Sequence, residues 1–188
     1  MKRKFLYGLG IAALVSAAPL VATTPVLANI QEAGIAIAQK LRQPEVKLVM
    51  GAEKQVSVVD ENGQSKLEWA KLEGDVTVKP GDVLRYVVAS ENEGEMSANN
   101  LVVTQPIAKE MTYKLGSAKG NDIAAITYSI DDGQSFVAEP MVEVTLADGV
   151  TKEMRPAPAE AYTHVKWDFS QALGAEEVIS VSHEVTVN

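Results

Sequence analysis

Histidine is the side chain best suited to proton transfer near neutral pH, and this sequence contains two, His164 and His183. Each lies in a segment of alternating apolar residues, which predicts a β-strand. His183-Glu184 precedes only four further residues, so a helical zinc-binding motif cannot form there. The sequence has no Gly-x-Ser-x-Gly nucleophile elbow and no glycine-rich phosphate loop. We therefore expect no catalytic residue, no enzymatic activity and no cofactor, and a secreted hydrolase is the weakest hypothesis.

Carboxylates offer a second kind of chemistry, the binding of calcium. Glu91, Glu93 and Glu95 alternate around Asn92, and Asp131-Asp132 lies in a predicted turn. Calcium takes about six to eight oxygen ligands, and no known calcium-loop pattern is present. Neighbouring residues on a strand also point to opposite faces. The five carboxylates are therefore weak calcium candidates, and solvated loop charge is the favoured interpretation.

Aromatic residues could stack on sugar rings if they were exposed on one face of a sheet. Trp69, Tyr86, Tyr128 and Trp167 are spaced singly along predicted strands, a pattern more typical of residues that lie in the core or cover a sheet edge, and the core is the favoured interpretation. Tyr86 and Trp167 are the strongest core predictions. The alternative function is that of a secreted module that binds glycan or calcium.

Short alternating segments separated by turn residues supply the elements that would position these side chains. Asn62-Gly63 is a strong hairpin signal and predicts a hairpin over residues 54–73. The pattern as a whole predicts an all-β fold, an immunoglobulin-like antiparallel β-sandwich over residues 46–188. The predicted strands are 46–50, 55–59, 76–79, 83–91, 100–105, 111–115, 126–130, 135–138, 141–146, 164–169 and 178–187.

The N-terminus has the layout of a secretory signal peptide. Lys2, Arg3 and Lys4 precede an apolar run, and small residues lead to a predicted cleavage site between Ala28 and Asn29. Residues 1–28 are therefore expected to be removed. Residues 29–45 are predicted to be a linker or short helix before the domain.

The charge and the cysteine content limit which classes of partner and which cellular compartments are compatible with the sequence. Residues 1–28 hold three of the 17 basic residues and none of the 25 acidic ones, so cleavage would change the formal charge from −8 to −11. Such a protein repels nucleic acid, and no later segment is long enough to span a membrane. We expect export to the periplasm, the cell surface or the medium. The sequence has no cysteine, so the core must be stable without disulfides.

One stretch resembles a bacterial surface-protein repeat. The run Val78-x-Pro80-Gly81-Asp82-x-Leu84-x-Tyr86-x-Val88, with Asn92-x-Gly94 after it, is similar to the opening of domain of unknown function 11. Matches continue in the family's order, and the resemblance covers about residues 76–188 as a single copy. The later matches are Thr112-Tyr113, Gly116-Ser117-Ala118, Tyr128-Ser129, Val165-x-Trp167 and Leu173-Gly174.

The resemblance implies an immunoglobulin-like domain in an exported bacterial protein, with a structural or adhesive role and no catalytic residues. Its partners would be other envelope or surface proteins, or further copies of itself. The fold-defining residues on this basis are Pro80, Gly81, Asp82, Tyr86, Asn92, Gly94 and Trp167. The chain departs from the family pattern at Gln105, Ala108 and Glu110. The conformation of residues 105–110 is therefore expected to differ from that in the family.

Overall fold

The structure is a computed structural model that describes residues 14–15, 43–74 and 76–188. It contains eleven described strands and one short 3-10 helix, Ala159–Ala161. The strands are β1 (Leu14–Val15), β2 (Val46–Val59), β3 (Ser65–Lys71), β4 (Val83–Asn92), β5 (Val102–Pro106), β6 (Met111–Tyr113), β7 (Ala124–Ser129), β8 (Met141–Thr145), β9 (Lys152–Pro156), β10 (His164–Phe169) and β11 (Val178–Val187).

The strands form two main antiparallel sheets. One sheet has the order β1-β5-β10-β7, the other has the order β3-β2-β4-β11-β6, and β8 pairs with β9 in a separate hairpin. Residues from both main sheets meet in one apolar cluster, for example Val88 and Val181 with Val103 and Trp167. The predicted all-β antiparallel sandwich is confirmed.

Strict alternation along β4 and β11 places one face of each strand in the core. Every second residue of β4 from Leu84 to Asn92 is buried, and so are Val181, His183, Val185 and Val187 on β11. Tyr86 and Trp167 are both buried, as predicted. Burying large side chains between sheets supplies most of the stability of a sandwich without disulfides.

The stretch Pro80-Gly81-Asp82 forms the tight turn that starts β4. Gly81 has φ +87°, the positive value that the third position of a type II turn requires. The Asp82 carboxylate accepts hydrogen bonds from the Lys79 backbone N–H at 2.8 Å and from Lys54 Nζ at 2.6 Å. The backbone conformation of Gly81 and the hydrogen bonds of the Asp82 side chain therefore both explain the residues found at this turn.

Asn92 closes the other end of β4 and is fully buried. Its Nδ2 donates to the carbonyl oxygens of Met96, Leu173 and Gly174 at 2.7–3.1 Å. Its Oδ1 accepts from the backbone N–H groups of Glu45 and Gly94, each at 3.2 Å. One amide group thus joins the segment before β2, the loop after β4 and the loop before β11.

Gly94 is required by a close backbone approach. A Cβ atom built there would lie 2.5 Å from the Gln43 carbonyl oxygen and 2.5 Å from the Glu45 nitrogen. Because backbone atoms cannot rotate away as a side chain can, a larger residue would separate this loop from the start of β2.

Several predicted elements differ from the structure. Predicted strands 46–50 and 55–59 form one continuous strand, because β2 pairs with β4 through Lys54 and with β3 from Glu53 onward. No strand forms at 76–79, and 135–138 contributes only a bridge between Val137 and Tyr128. β9 was not predicted, because its residues are all exposed and it lacks an apolar face.

Parts of the N-terminal predictions fall outside the described residues. The cleavage site at Ala28 and Asn29 lies there, as does most of the linker 29–45. These assignments stay predictions, as do the domain boundaries.

We predict that Asn92→Ala lowers the free energy of unfolding by about 2–4 kcal/mol. The substitution would leave several buried carbonyl and N–H groups without a partner. Urea denaturation measures the change, and Asn99→Ala is the matched control. Asn99 is exposed, so its variant should stay within about 0.5 kcal/mol of the unsubstituted protein. Equal effects of the two substitutions would contradict the role assigned to Asn92.

Candidate functional site

The acidic calcium candidates do not meet at one point. Glu93 pairs with Lys47 Nζ at 2.7 Å, and Asp131 accepts hydrogen bonds within its own turn. The Ser129 hydroxyl, followed by the Ser135 groups, lowers the pKa of Asp131 to about 2. Across residues 43–74 and 76–188, no three His, Cys, Asp or Glu side chains form a group that could hold a metal ion. The carboxylate oxygens of Asp131 therefore stabilise the turn in which Asp131 lies.

The two histidines have different surroundings. His164 Nδ1 lies 3.1 Å from the hydroxyl oxygen of its neighbour Thr163. The Thr163 hydroxyl donates a hydrogen bond to the Ser129 carbonyl oxygen. His183 is 1% exposed, and neither of its ring nitrogens has a hydrogen-bond partner within the described part of the chain. Neither histidine contacts a serine hydroxyl among these residues, so the geometry offers no Ser–His pair.

Trp69 is not a core residue, which corrects the sequence interpretation. It lies half-buried on β3, and the Arg85 guanidinium sits 4.3 Å from its ring centroid. Arg85 also forms an ion pair with Glu53 on β2. This cation–π contact covers one face of the indole, and no second aromatic ring of the described residues stacks beside it. Within the described residues, Trp69 therefore lacks the neighbouring aromatic ring that would favour glycan binding.

A cavity of about 200 Å³ lies beside His183, at the corner between β5 and β6. Uncharged residues of β4, β5, β6, β11 and the β5–β6 connection surround it. The residues that line it are Tyr86, Pro106, Ile107, Ala108, Met111, His183 and Val185. Three of the seven belong to the 105–110 segment singled out from the sequence. The cavity itself could not be foreseen, because it depends on how the two sheets approach each other.

Aromatic rings hold the His183 side chain within the core. Tyr86 stacks on it with ring centroids 5.6 Å apart, and Trp167 and Tyr113 lie at 6.0 and 6.4 Å. Burial lowers the pKa of His183 from 6.5 to about 4. The imidazole is therefore neutral at pH 7, with one donor and one acceptor nitrogen.

The outer edge of β5 is the second notable feature of the same corner. Leu14–Val15 pairs with it antiparallel, with Leu14 opposite Thr104 and Val15 opposite Val103. These two residues fall inside the predicted signal peptide. The strand that covers this edge is therefore one that export is expected to remove.

We predict a pH-dependent stability that originates at His183. Its folded pKa is depressed, so the unfolded chain binds more protons between pH 6.5 and about 4. Stability is then full above pH 6.5 and falls as the pH drops, by about 3 kcal/mol in total.

Urea denaturation of the unsubstituted protein and of His183→Phe at several pH values measures this effect. The variant should gain stability relative to the unsubstituted protein as the pH falls from 6.5 to 4, because Phe cannot titrate. A difference between the two proteins that does not change with pH would contradict the assignment.

No helix within the described residues combines the length and apolarity needed to cross a membrane. In comparisons with known proteins, the chain matches no family model, no curated protein and no solved structure.

Proposed function

We propose that this is an exported, non-enzymatic protein of the cell envelope or cell surface that works through protein–protein contacts. Its N-terminal sequence is typical of a signal peptide, and residues 76–188 resemble domain of unknown function 11. The observation that carries the proposal is the pairing of Leu14–Val15 with the outer edge of β5. The contact would be made by addition of an extended strand to this edge.

The hydrogen bonds at the two ends of β5 identify the backbone groups that face outward. The Phe169 N–H donates to the Leu101 carbonyl oxygen, and the Ile107 N–H donates to the Thr163 carbonyl oxygen. In an antiparallel pair such bonded positions alternate, so Val103 and Gln105 also direct their backbone groups at β10. Val102 and Thr104 therefore present their N–H groups to the outer edge.

The other edges of the two main sheets are less suited to accept a strand. Edge strands are commonly protected by charge, short length or a covering segment. β3 carries Lys66, Glu68 and Lys71, and β6 has three residues. The β7 edge is covered at Tyr128 by two hydrogen bonds with Val137. β5 has five residues and no charge.

Removal of residues 1–28 would take β1 away and leave the outward groups of Val102 and Thr104 without a strand. A partner with an extended, uncharged segment could then occupy the position of β1. The partner could be another envelope protein or a second copy of the same chain. Unpaired edges readily recruit such strands, since each added residue pair restores backbone hydrogen bonds.

The β2–β3 hairpin gives a second, weaker support for protein contacts. Its outer half extends beyond the pairing of β2 with β4. Val59 and Leu67 share one face of this half and are 65% and 64% exposed. Exposed apolar residues grouped in this way are typical of contact surfaces.

We predict that cells export the protein and cleave it before Asn29. Fractionation followed by N-terminal sequencing should recover the mature product in the envelope fraction or the medium. Recovery of the chain with Met1 attached in the membrane fraction would contradict export with cleavage.

We predict that Thr104→Pro weakens strand capture without unfolding the sandwich. Proline lacks the N–H that Thr104 presents to the outer edge, whereas the bonds of Val103 and Gln105 to β10 remain. The assay measures fluorescence anisotropy of a labelled peptide with the sequence of residues 10–18 and terminal lysines added for solubility. It uses the exported form of the protein as recovered from cells.

Thr104→Val is the matched control, because valine keeps both the N–H and the β-branched shape. Affinity for the peptide should fall by about tenfold or more for the proline variant and stay unchanged for the valine variant. Circular dichroism checks that both variants are folded. Equal binding by a folded proline variant would exclude β5 as the acceptor edge.

A further inference from the structure

We infer that the strand added to β5 belongs to another protein and carries a large apolar residue opposite Gln105, where that residue packs against Met50. This inference rests on the strand addition proposed above and specifies the side chain by which the partner is selected. Backbone pairing alone accepts many extended segments, so selectivity for one partner must come from side chains.

Met50 lies on the core-facing side of β2. It pairs with Val88 of β4, which is fully buried, and residues paired across antiparallel strands share one face of the sheet. From the opposite sheet, Gln105 Nε2 donates to Met50 Sδ at 3.2 Å. Met50 therefore lies between the two sheets, across from β5.

Met50 nevertheless stays 38% exposed, because it lies at the margin of its sheet. β3 pairs with β2 over Glu53–Val59, and one further hydrogen bond joins the Leu72 N–H to the Ala52 carbonyl oxygen. Beyond Ala52, no strand of the described residues flanks β2 on this side. A strand on the outer edge of β5 would lie next to the exposed part of Met50.

The alternation of β5 determines which residue of an added strand reaches Met50. Val103 and Gln105 are each 1% exposed and face the core, whereas Thr104 between them faces outward. A residue paired antiparallel with Gln105 shares the core-facing direction of Gln105, and its two neighbours along the added strand point to the other face. The side chain opposite Gln105 is therefore the one placed beside Met50.

The surroundings of this position favour an apolar side chain. The core-facing residues on either side of Met50 along β2 are Leu48 and Ala52, so no charge adjoins Met50 on this face of the strand. A charged residue placed there would lose part of its hydration without gaining a counter-charge. The flexible thioether side chain of Met50 adapts its shape to an apolar neighbour, and each methylene group removed from water stabilises the complex.

Segments of this chain supply only shorter side chains to the position. In the register of Leu14–Val15 on β5, a peptide of residues 10–18 sets Ala13 opposite Gln105, and alanine is too short to cover a methionine. Two copies paired through β5 about Thr104 would set Val103 there, which is shorter than leucine. A strand from a different protein, with leucine, isoleucine, methionine or phenylalanine at this position, fits Met50 better.

Fluorescence anisotropy titrations with three labelled peptides test the inference on the exported form of the protein. One peptide has the sequence of residues 10–18, the second carries Ala13→Leu and the third carries Ala12→Leu, each with terminal lysines. The two leucine peptides have the same composition, but only Ala13→Leu places leucine on the core-facing side. Ala13→Leu should raise the affinity about fivefold, and Ala12→Leu should leave the affinity nearly unchanged.

Two substitutions in the protein locate the contact. Met50→Ala should abolish the gain from Ala13→Leu, because the leucine loses the side chain against which it packs. Val49→Ala is the matched control. Val49 is 53% exposed and pairs with Ala89 on the outward face of the same sheet, so this variant should keep the fivefold gain. Circular dichroism checks that both variants are folded.

The outcomes separate this inference from the strand addition on which it rests. Equal affinities of the two leucine peptides, or a fivefold gain that persists in Met50→Ala, would overturn the inference and leave strand addition at β5 in place. Binding by none of the three peptides would overturn strand addition itself, and this inference with it.

Size-exclusion chromatography of the exported protein tests the source of the strand. A monomer is expected. A dimer that Thr104→Pro converts to a monomer would show that a second copy occupies the edge, and would overturn the assignment to another protein.

Discussion

Burial of one apolar layer between two antiparallel sheets is the interaction on which the rest of this structure depends. The chain has no cysteine, so no disulfide assists the packing of Trp167, Val88, Val103 and Val181. Alternation along β4 and β11 delivers these contacts, because each strand contributes a side chain to the layer every second residue. The turn at Gly81 and the amide of Asn92 then fix both ends of β4. The positions of His183 and of the β5 edge follow from this layer.

The same layer explains why the corner between β5 and β6 is unusual. Gln105 and His183 occupy core-facing positions on opposite sheets, where an apolar residue would be the stable choice. Gln105 Nε2 contacts Met50 Sδ at 3.2 Å, but its Oε1 has no partner among the described residues. Polar groups left unpaired in a core lower stability, and natural proteins commonly accept such a cost where function requires it. The proposed addition of a strand at Thr104 lies next to this corner.

The sequence was informative where local chemistry decides the structure. Alternating residues predicted β10 and β11 with their observed bounds, and Pro80-Gly81 predicted the turn before β4. The sequence did not predict the features that depend on tertiary contacts. Trp69 was expected in the core but stacks under Arg85, because β3 is an edge strand with one partner only. β9 has no apolar face, so periodicity could not detect it. The cavity could not be predicted either, because residues from four parts of the chain form it.

Amide hydrogen exchange of β5 tests the central claim, that export leaves this edge open to a partner strand. The measurement uses the exported form at a concentration where it is monomeric. Val103 and Gln105, whose N–H groups bond β10, should exchange slowly, whereas Thr104 and Val102, whose N–H groups face outward, should exchange fast. Addition of the strand peptide should slow exchange at Thr104 and Val102 and leave Val103 and Gln105 unchanged. Slow exchange of Thr104 without any peptide would contradict the claim, because it would mean that the edge is already covered.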